Sequence, residues 1–484
     1  MKMKIGLEVH VQLTQAGTKL FCGCDSNYRV YATNENICPV CLGLPGALPV
    51  PSKKAVILAL AAAMIFNCRI PDAIVFTRKH YFYPDLPKNY QITQYEKAGG
   101  APVCLGGEFE YLDPDTWEWR KVRIRRLNLE EDPGRSVYPE GSIVTSRHVL
   151  VDYNRSGVPL LEIVTEPDIP SPRAARAFVE YLLLSLEYIG AVNPRLEGAF
   201  RVDANISLEG GERVEIKNIG STYEVEKALL YEYKRQKLLL ENGGQVKRET
   251  RHWDAVRRVT KPLRHKEEEE EYLYMPDPDL PPVLTRPLIS EVKERLVTLP
   301  RHVFEWMTSK GVSREVAWSI VQVQHAAQLY KEALTSGTDP RLLARFIGVD
   351  YKGALKDLQK DVHDPGNWPE PVVFRKLVEY VQTGAYPLEA ITGIVIPKLA
   401  VNPQVNLESI LPEKAGNVEE VIRIVIKENR KAVNDYLSGR RKALDYLVGQ
   451  VIRKVGKKAI DPRTVRELLI KTLTGERKRR EHSS

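Results

Sequence analysis

The sequence predicts an α+β fold: a strand-rich N-terminal body on an antiparallel or mixed sheet, then an all-α middle, then a small all-α C-terminal tail. Three observations carry this. Up to about residue 285, short segments of alternating polar and apolar residues recur between clusters of Gly, Pro and Asp. After Leu288 the apolar period changes from two to about 3.6 residues. The formal charge of +8 sits entirely in the last sixth, where Val401 to Ser484 holds 19 Lys+Arg against 11 Asp+Glu. The domains expected are 1–288, 289–400 and 401–484.

Composition bounds the class. A chain of 484 residues has room for two to four domains, and 43% hydrophobic with 28% charged residues is ordinary for a globular protein. Collagen-like, coiled-coil and largely disordered chains are excluded. The longest apolar run, Ala55 to Phe66, is 12 residues, too short to span a bilayer and too far from Met1 to be a signal peptide. A soluble, cytoplasmic protein with no membrane association is expected.

In chain order, Ile5 to Leu13 alternates as a strand, and the apolar stretch Lys53 to Phe66 is a helix. Val122 to Leu129, Phe200 to Leu208 and Val214 to Ile219 are further strands. Ser171 to Ile189 is the second helix, with Ser171 as N-cap and Pro172 in the first turn. Met275 to Pro282, rich in Pro and Asp, is expected to be irregular and to mark the boundary. The acidic run Glu267 to Glu271 before it is read as a solvated edge. Helices are expected at Ser290 to Val297, Arg314 to Leu334, Pro340 to Ile347 and Pro369 to Gly384. A last helix carries Leu444, Leu447, Val448, Val451 and Val455. Gly337-Thr338-Asp339 reads as a turn and cap. No internal repeat is visible.

Four of the six cysteines cluster: Cys22, Cys24, Cys38 and Cys41, two close pairs separated by a turn-rich stretch. Such pairs can converge as four thiolates on one Zn²⁺, and a set of four leaves no open coordination position, so the metal would be structural. Cys68 and Cys104 are read as packing residues.

Glu8 and His10 lie two apart on the first strand and so share a face, opposite Leu7, Val9 and Val11. Taken alone, such a pair is more often a surface feature than a metal site. Three other segments repeat the pattern: Glu130-Glu131-Asp132, then Arg201, Asp203, Asn205 and Ser207, then Glu215 and Lys217. Carboxylates crowded on adjacent strands repel unless a cation lies among them, and oxygen-rich ligation suits Mg²⁺ or Mn²⁺. A wet, charged sheet face is the competing reading. Arg78-Lys79-His80-Tyr81-Phe82-Tyr83, followed by Lys88, Tyr90 and Gln91, interleaves cations with rings that can stack a base and hold phosphate, or can simply pack a half-buried strand. No phosphate-binding P-loop, dinucleotide fingerprint, nucleophile elbow or amidase-like Gly-Ser-Ser-Gly run is present.

Ile5 to Leu13, Lys79 to Gln91, Leu129 to Asp132, Asp152 to Asp168, Arg201 to Ser207 and Glu215 to Asn218 resemble the B-type component of tRNA-dependent amidotransferases. Asp435-Tyr436, Gly439 and Leu447 to Gln450 continue the likeness into the tail. The resemblance implies one chain of an aspartyl/glutamyl-tRNA amidotransferase, with a kinase-like, cradle-shaped catalytic body. Such a chain uses ATP and Mg²⁺ to phosphorylate the side-chain carboxylate of misacylated Glu-tRNA(Gln) or Asp-tRNA(Asn). Its partners in a heterotrimer would be a glutaminase (amidase) chain of the A type, which supplies ammonia, and a small chain of the C type, which joins the two. By the same resemblance, Glu8, His10, Glu131, Asp203 and Glu215 form the metal and catalytic site. Lys79, Tyr81, Tyr83, Lys88 and Lys217 would lie around the nucleotide. Departures are Pro133 and Arg135, where many relatives carry Ala and Lys, and Ile219-Gly-Ser, where many carry Leu-Asn-Ser. The cysteine quartet occurs in only some members. The alternatives are an E-type chain, which carries an extra domain before its helices and works with an asparaginase-like partner, and a non-catalytic tRNA-binding module.

Overall fold

The structure, a computed structural model, describes residues 1–140, 146–263, 272–293, 298–412, 418–455 and 462–481. The chain divides into two compact units, Met1–Leu299 and Pro300–Ser484.

In the first unit, β1 (Met3–Gln12) is followed by helix α1 (Lys53–Ile65), then β2 (Ala73–Ile74), β3 (Thr77–His80) and β4 (Tyr90–Thr93). A long hairpin, β5 (Cys104–Leu112) and β6 (Trp119–Glu131), precedes a short one, β7 (Arg135–Val137) and β8 (Leu150–Asp152). Then come β9 (Pro159–Thr165), α2 (Pro172–Tyr188), β10 (Phe200–Leu208), β11 (Val214–Ile219) and α3 (Thr222–Glu241). β12 (Glu249–Asp254), β13 (Val259–Pro262), β14 (Met275–Pro276) and β15 (Val283–Leu284) complete the set. Among the described residues, eight strands form one sheet in the order β13-β12-β11-β10-β1-β9-β6-β5, in which only β11 and β12 run parallel. The expected α+β class and mixed sheet are therefore what the chain forms.

The alternation read from the sequence sets the layers. Ile5, Leu7, Val9 and Val11 of β1 are fully buried, in register with Val202, Ala204 and Ile206 of β10 and with Leu161 and Ile163 of β9. That apolar face is covered by helices, with α2 against β1 and β5 and α3 against β10 and β11. Ser171 caps α2 through Ala174 N at 3.1 Å, the role that its place before Pro172 predicts.

Several expectations need correction. Helix α3 is not among the predicted helices, because two of its buried positions are Glu232 and Gln236, which break the apolar period after Val225, Ala228 and Leu229. Met275 to Pro282 is not wholly irregular: Met275 and Pro276 pair with Arg78 and Thr77 at the edge of a small sheet. Cys68 and Cys104 are not separate packing residues but a disulfide. The bridge between Arg69 and Leu105 brings the end of α1 beside β5, with a Cα–Cα separation of 5.7 Å for the two cysteines. The run Glu267 to Glu271 and the end of the helix expected at Ser290 to Val297 lie outside the described residues; the described part is Ile289–Lys293.

In the second unit, the helix expected over Arg314 to Leu334 is two, Arg314–Val321 and Gln324–Ala333, because buried Val323 takes extended backbone. The helix starting at Pro340 runs on through a wide π turn, Phe346–Tyr351, to Asp357. Gly348 in that turn touches Ile320, where a Cβ would come within 2.6 Å of the isoleucine side chain. Asp339 caps this helix by accepting from Arg341 N and Leu342 N, as the turn-and-cap reading requires. Helices Val418–Glu428, Arg430–Leu437, Lys442–Val455 and Pro462–Glu481 share a core that includes Leu444, Leu447, Val448 and Val451. Among the described residues, no helix is long and apolar enough to cross a membrane.

Candidate active site and metal centre

The face of the sheet away from the helices is polar. On β1, Glu8, His10 and Gln12 alternate with the core residues. His10 stands opposite Arg201 of β10 and Glu162 of β9, and Glu162 opposite Asn128 of β6. Glu8 faces Asp203, and Asn205 faces Glu215. Directly paired residues project to the same side, so five strands contribute to one acidic row. His10 Nε2 lies 3.4 Å from Glu8 Oε1 and 3.9 Å from Glu162 Oε2. Lys217 Nζ sits 3.3 Å from both Asp203 and Glu215. At a bulge between β10 and β11, Asn218 (φ 65°) turns its N–H onto Asp203 Oδ1 at 3.0 Å.

The row is electrostatically strained. Burial first, then Glu162 and Asp203, pushes the Glu8 carboxyl up to about 8. Burial and Glu162 likewise push Glu130 up to about 7. Burial, Arg201, Lys217 and Lys79 hold the His10 imidazole well below its usual value, so it is neutral and able to ligate. Burial opposes the charge of Lys217, but Asp203, Glu215 and Glu8 outweigh it and raise its pKa. Among the described residues, three buried polar atoms on this face, His10 Nδ1, Asn128 Oδ1 and Asn205 Oδ1, have no hydrogen-bond partner. Two orphaned amide oxygens and an unpartnered imidazole nitrogen, beside carboxylates that resist ionising together, fit a hard divalent cation. Glu8, His10 and Glu162 have donor atoms all within 4.8 Å of one another.

The row differs from the expected set in two members. Glu131 does not join it. In β6 it has the parity of Leu127 and Leu129, and its buried carboxylate pairs with Lys88 while accepting from Ile92 N at 3.0 Å. Its neighbour Glu130 faces the row instead, accepting from Thr93 Oγ1 at 2.8 Å. A one-residue step along a strand inverts the face, and "Glu-Glu" alone does not say which is which. Glu162 is the member that sequence reasoning misses. It is the single carboxylate in the apolar strand Pro159–Thr165, and its place between fully buried Leu161 and Ile163 turns it to the opposite face.

Of the residues expected around a nucleotide, Lys79 lies 4.4 Å from the Tyr272 ring and 5.7 Å from that of Tyr81. Tyr81 is pushed up by burial and then by Glu130, so it stands beside the row. Tyr83 meets Tyr81 edge-on at 5.8 Å. Lys217 is in the row, whereas Lys88 is committed to Glu131.

The cysteine quartet does converge: the sulfurs of Cys22, Cys24, Cys38 and Cys41 all lie within 4.8 Å of one another and could hold a metal ion. Cys38 N donates to Cys41 Sγ at 3.1 Å, and fully buried Lys19 reaches the same sulfur at 3.5 Å. The contact with Cys22, then the backbone N–H of Cys38 and the charge of Lys19, outweigh burial and draw the Cys41 thiol down to about 4.

A sheet whose helix-free face is lined by carboxylates and tethered cations, followed by a helical unit, is the layout of an enzyme's catalytic body with an appended helical module. Residues 3–290 match the family described as the GatB/GatE catalytic domain, and residues 328–473 match the GatB domain. The chain belongs to the GatB family, the B-type components of aspartyl/glutamyl-tRNA amidotransferases. It is 61% identical over 473 residues to the aspartyl/glutamyl-tRNA(Asn/Gln) amidotransferase component of this type from Aeropyrum pernix, covering 98% of this chain and 97% of that protein. The like-named proteins of Sulfurisphaera tokodaii and Methanosarcina barkeri are 44% and 40% identical. These alignments cover 97% and 98% of this chain, and 99% and 98% of those proteins.

Proposed function

We propose that this chain activates the side-chain carboxylate of misacylated Glu-tRNA(Gln) or Asp-tRNA(Asn) in the cytoplasm, consuming ATP. The activated group passes to ammonia delivered by a glutaminase partner of the A type, held through a small partner of the C type. The observation that carries this is the acidic row with its three orphaned polar atoms. Glu8, His10 and Glu162, with Asp203 and Glu215 behind them, would hold Mg²⁺. The ion, when bound, neutralises phosphate charge and orients the transferred group. The neutral His10 and the Lys217 bridge keep the carboxylates in place. Lys79 and the tyrosines beside it form a cationic, aromatic wall suited to nucleotide phosphate and base. The thiolate quartet would hold one structural Zn²⁺. The body, the helical middle and the basic tail from about residue 401 form three working parts, of which the tail would contact the tRNA backbone.

Glu8→Gln tests the site, because it keeps shape and removes a ligand charge. With free ammonia supplied, amidation should fall ~100-fold or more in kcat while KM for the tRNA changes little. Ammonia bypasses the partner but not activation. A wild-type ammonia-dependent rate would overturn the assignment.

A further inference from the structure

Beside one end of the acidic row is a separate cavity of about 220 Å³, walled by Arg29, Arg135, Arg155, Tyr28, Tyr31 and Glu197 among others. Its cations are not used by the site already described. Arg29 donates from Nε to the Glu197 backbone oxygen at 2.8 Å and from Nη2 to Gln12 Oε1 at 2.6 Å, and its buried Nη1 has no partner among the described residues. Arg155 donates to the carbonyl oxygens of Pro133 at 3.0 Å and Gly134 at 2.7 Å. The hydrogen bonds of both guanidiniums end on neutral oxygens; against burial, the charge of Arg155 helps to hold the Asp132 carboxyl down, but both oxygens of Asp132 are already bonded, to Gln12 and to Arg201. Arg135 approaches Glu197 at 3.5 Å, but both side chains are largely exposed and the pair is weak. The other carboxylate on the wall, Asp152, already accepts from Asn34 N and Asn154 N. A buried guanidinium N–H left without an acceptor is costly, and an anionic oxygen is the partner that satisfies it best. Tyr28 lies 4.4 Å below the Arg29 guanidinium, and Tyr31 is 40% exposed, so aromatic surface borders the cations.

The cavity is wired to the row. Gln12, which holds Arg29, donates to Asp132 Oδ2 at 2.6 Å, and the other oxygen of Asp132 accepts from Arg201, the cross-strand partner of His10. Gln12 is two residues from His10, roughly 7 Å along the strand. A glutamyl group hung by its ester spans about 6 Å from ester oxygen to side-chain carboxylate by ordinary bond lengths. The volume is below the ~300–1,000 Å³ usual for whole small-molecule ligands, which suits one terminal nucleotide of a longer chain better than a free nucleoside triphosphate.

We infer that this pocket receives the 3′-terminal ribonucleotide of the aminoacylated RNA, with its phosphate on Arg29 and Arg155 and its base against the tyrosines, so that the ester-linked amino acid points along β1 to His10 and Glu8. The inference rests on the function proposed above. It is tested with the full chain in complex with its amidase partner, comparing binding of intact tRNA with tRNA lacking its 3′-terminal nucleotide. Wild type should prefer the intact end by about tenfold, and Arg29→Ala should bind both equally, while KM for ATP stays within about twofold. Arg29→Lys, which keeps the charge and much of the bulk, should restore part of the preference. No preference in the wild type, or a preference intact in folded Arg29→Ala, would overturn the pocket. A raised KM for ATP with the tRNA preference unchanged would assign it to the other substrate. Failure of the wild-type complex to amidate tRNA at all would instead sink the function, a readout separate from the end preference.

Discussion

Glu8 shows how a single side chain can report on what the fold is waiting to bind. Burial, then Glu162 and Asp203, disfavour the charge and push its carboxyl from the usual 4.5 up to about 8. A raised carboxyl stabilises the metal-free body fully only below about 4.5, and that contribution is lost as pH rises through about 8. Metal binding must displace the proton. The apparent Mg²⁺ affinity should therefore climb between pH 6 and 8, by up to roughly tenfold per unit for each proton released. Calorimetric titration at fixed ionic strength checks this, and a flat affinity across that range would show that Glu8 is not a ligand. At this scale the sequence is legible where alternation is unambiguous: Glu8 and His10 share a face with Asp203 and Glu215. It is not legible at Glu130-Glu131, where adjacent carboxylates have opposite fates, or at Glu162, whose role depends on a neighbouring strand far away in sequence.

Helix α3 shows the same limit for an element. Periodicity finds helices by their apolar stripe, and here the stripe is completed by ions. Glu232, fully buried, accepts from Arg235 Nη2 at 2.7 Å and from Thr260 Oγ1 at 3.0 Å, and lies 3.6 Å from Arg251. This knot ties α3 to β12 and β13, so the helix depends on partners that a local reading cannot see. Removing Glu232 leaves Arg235 and Arg251 to share the one carboxylate of Glu249, so a charge in the knot goes uncompensated. Glu232→Ala should lower stability by about 3–5 kcal/mol, measured by denaturant unfolding. A loss under about 1 kcal/mol, the range of an exposed pair, would mean that solvent reaches the knot. The strands β1, β10 and β11, whose faces differ sharply in polarity, are by contrast legible to within a few residues.

Across the whole molecule, charge is the most legible property, since it needs no fold to be counted. The tail helices share their own core, and among the described residues Arg423, Lys427, Arg430 and Lys431 are exposed. Deleting the chain from Val401 onward should raise KM for tRNA and flatten the salt dependence of binding, because fewer phosphates are neutralised. Equal affinity at every salt concentration would make the tail a bystander. The Cys68–Cys104 bridge closes a loop of 36 residues, for which chain entropy gives about 3–4 kcal/mol. Reductant, or replacement of both cysteines by alanine, should accordingly lower the thermal midpoint. No spacing rule points to this pair, because the contact is made by the return of β5 to the end of α1.

That bridge sits in a chain with four other thiols, and so bears on the order of events during biosynthesis. Six cysteines free to oxidise allow 15 full pairings. If a metal captures Cys22, Cys24, Cys38 and Cys41 first, one pairing remains. Folding of this chain would then run on a schedule, with metal loading ahead of oxidation. Refolding in air with a zinc chelator should give a mixture of mispaired isomers by peptide mapping, whereas refolding with zinc present should give the Cys68–Cys104 link alone.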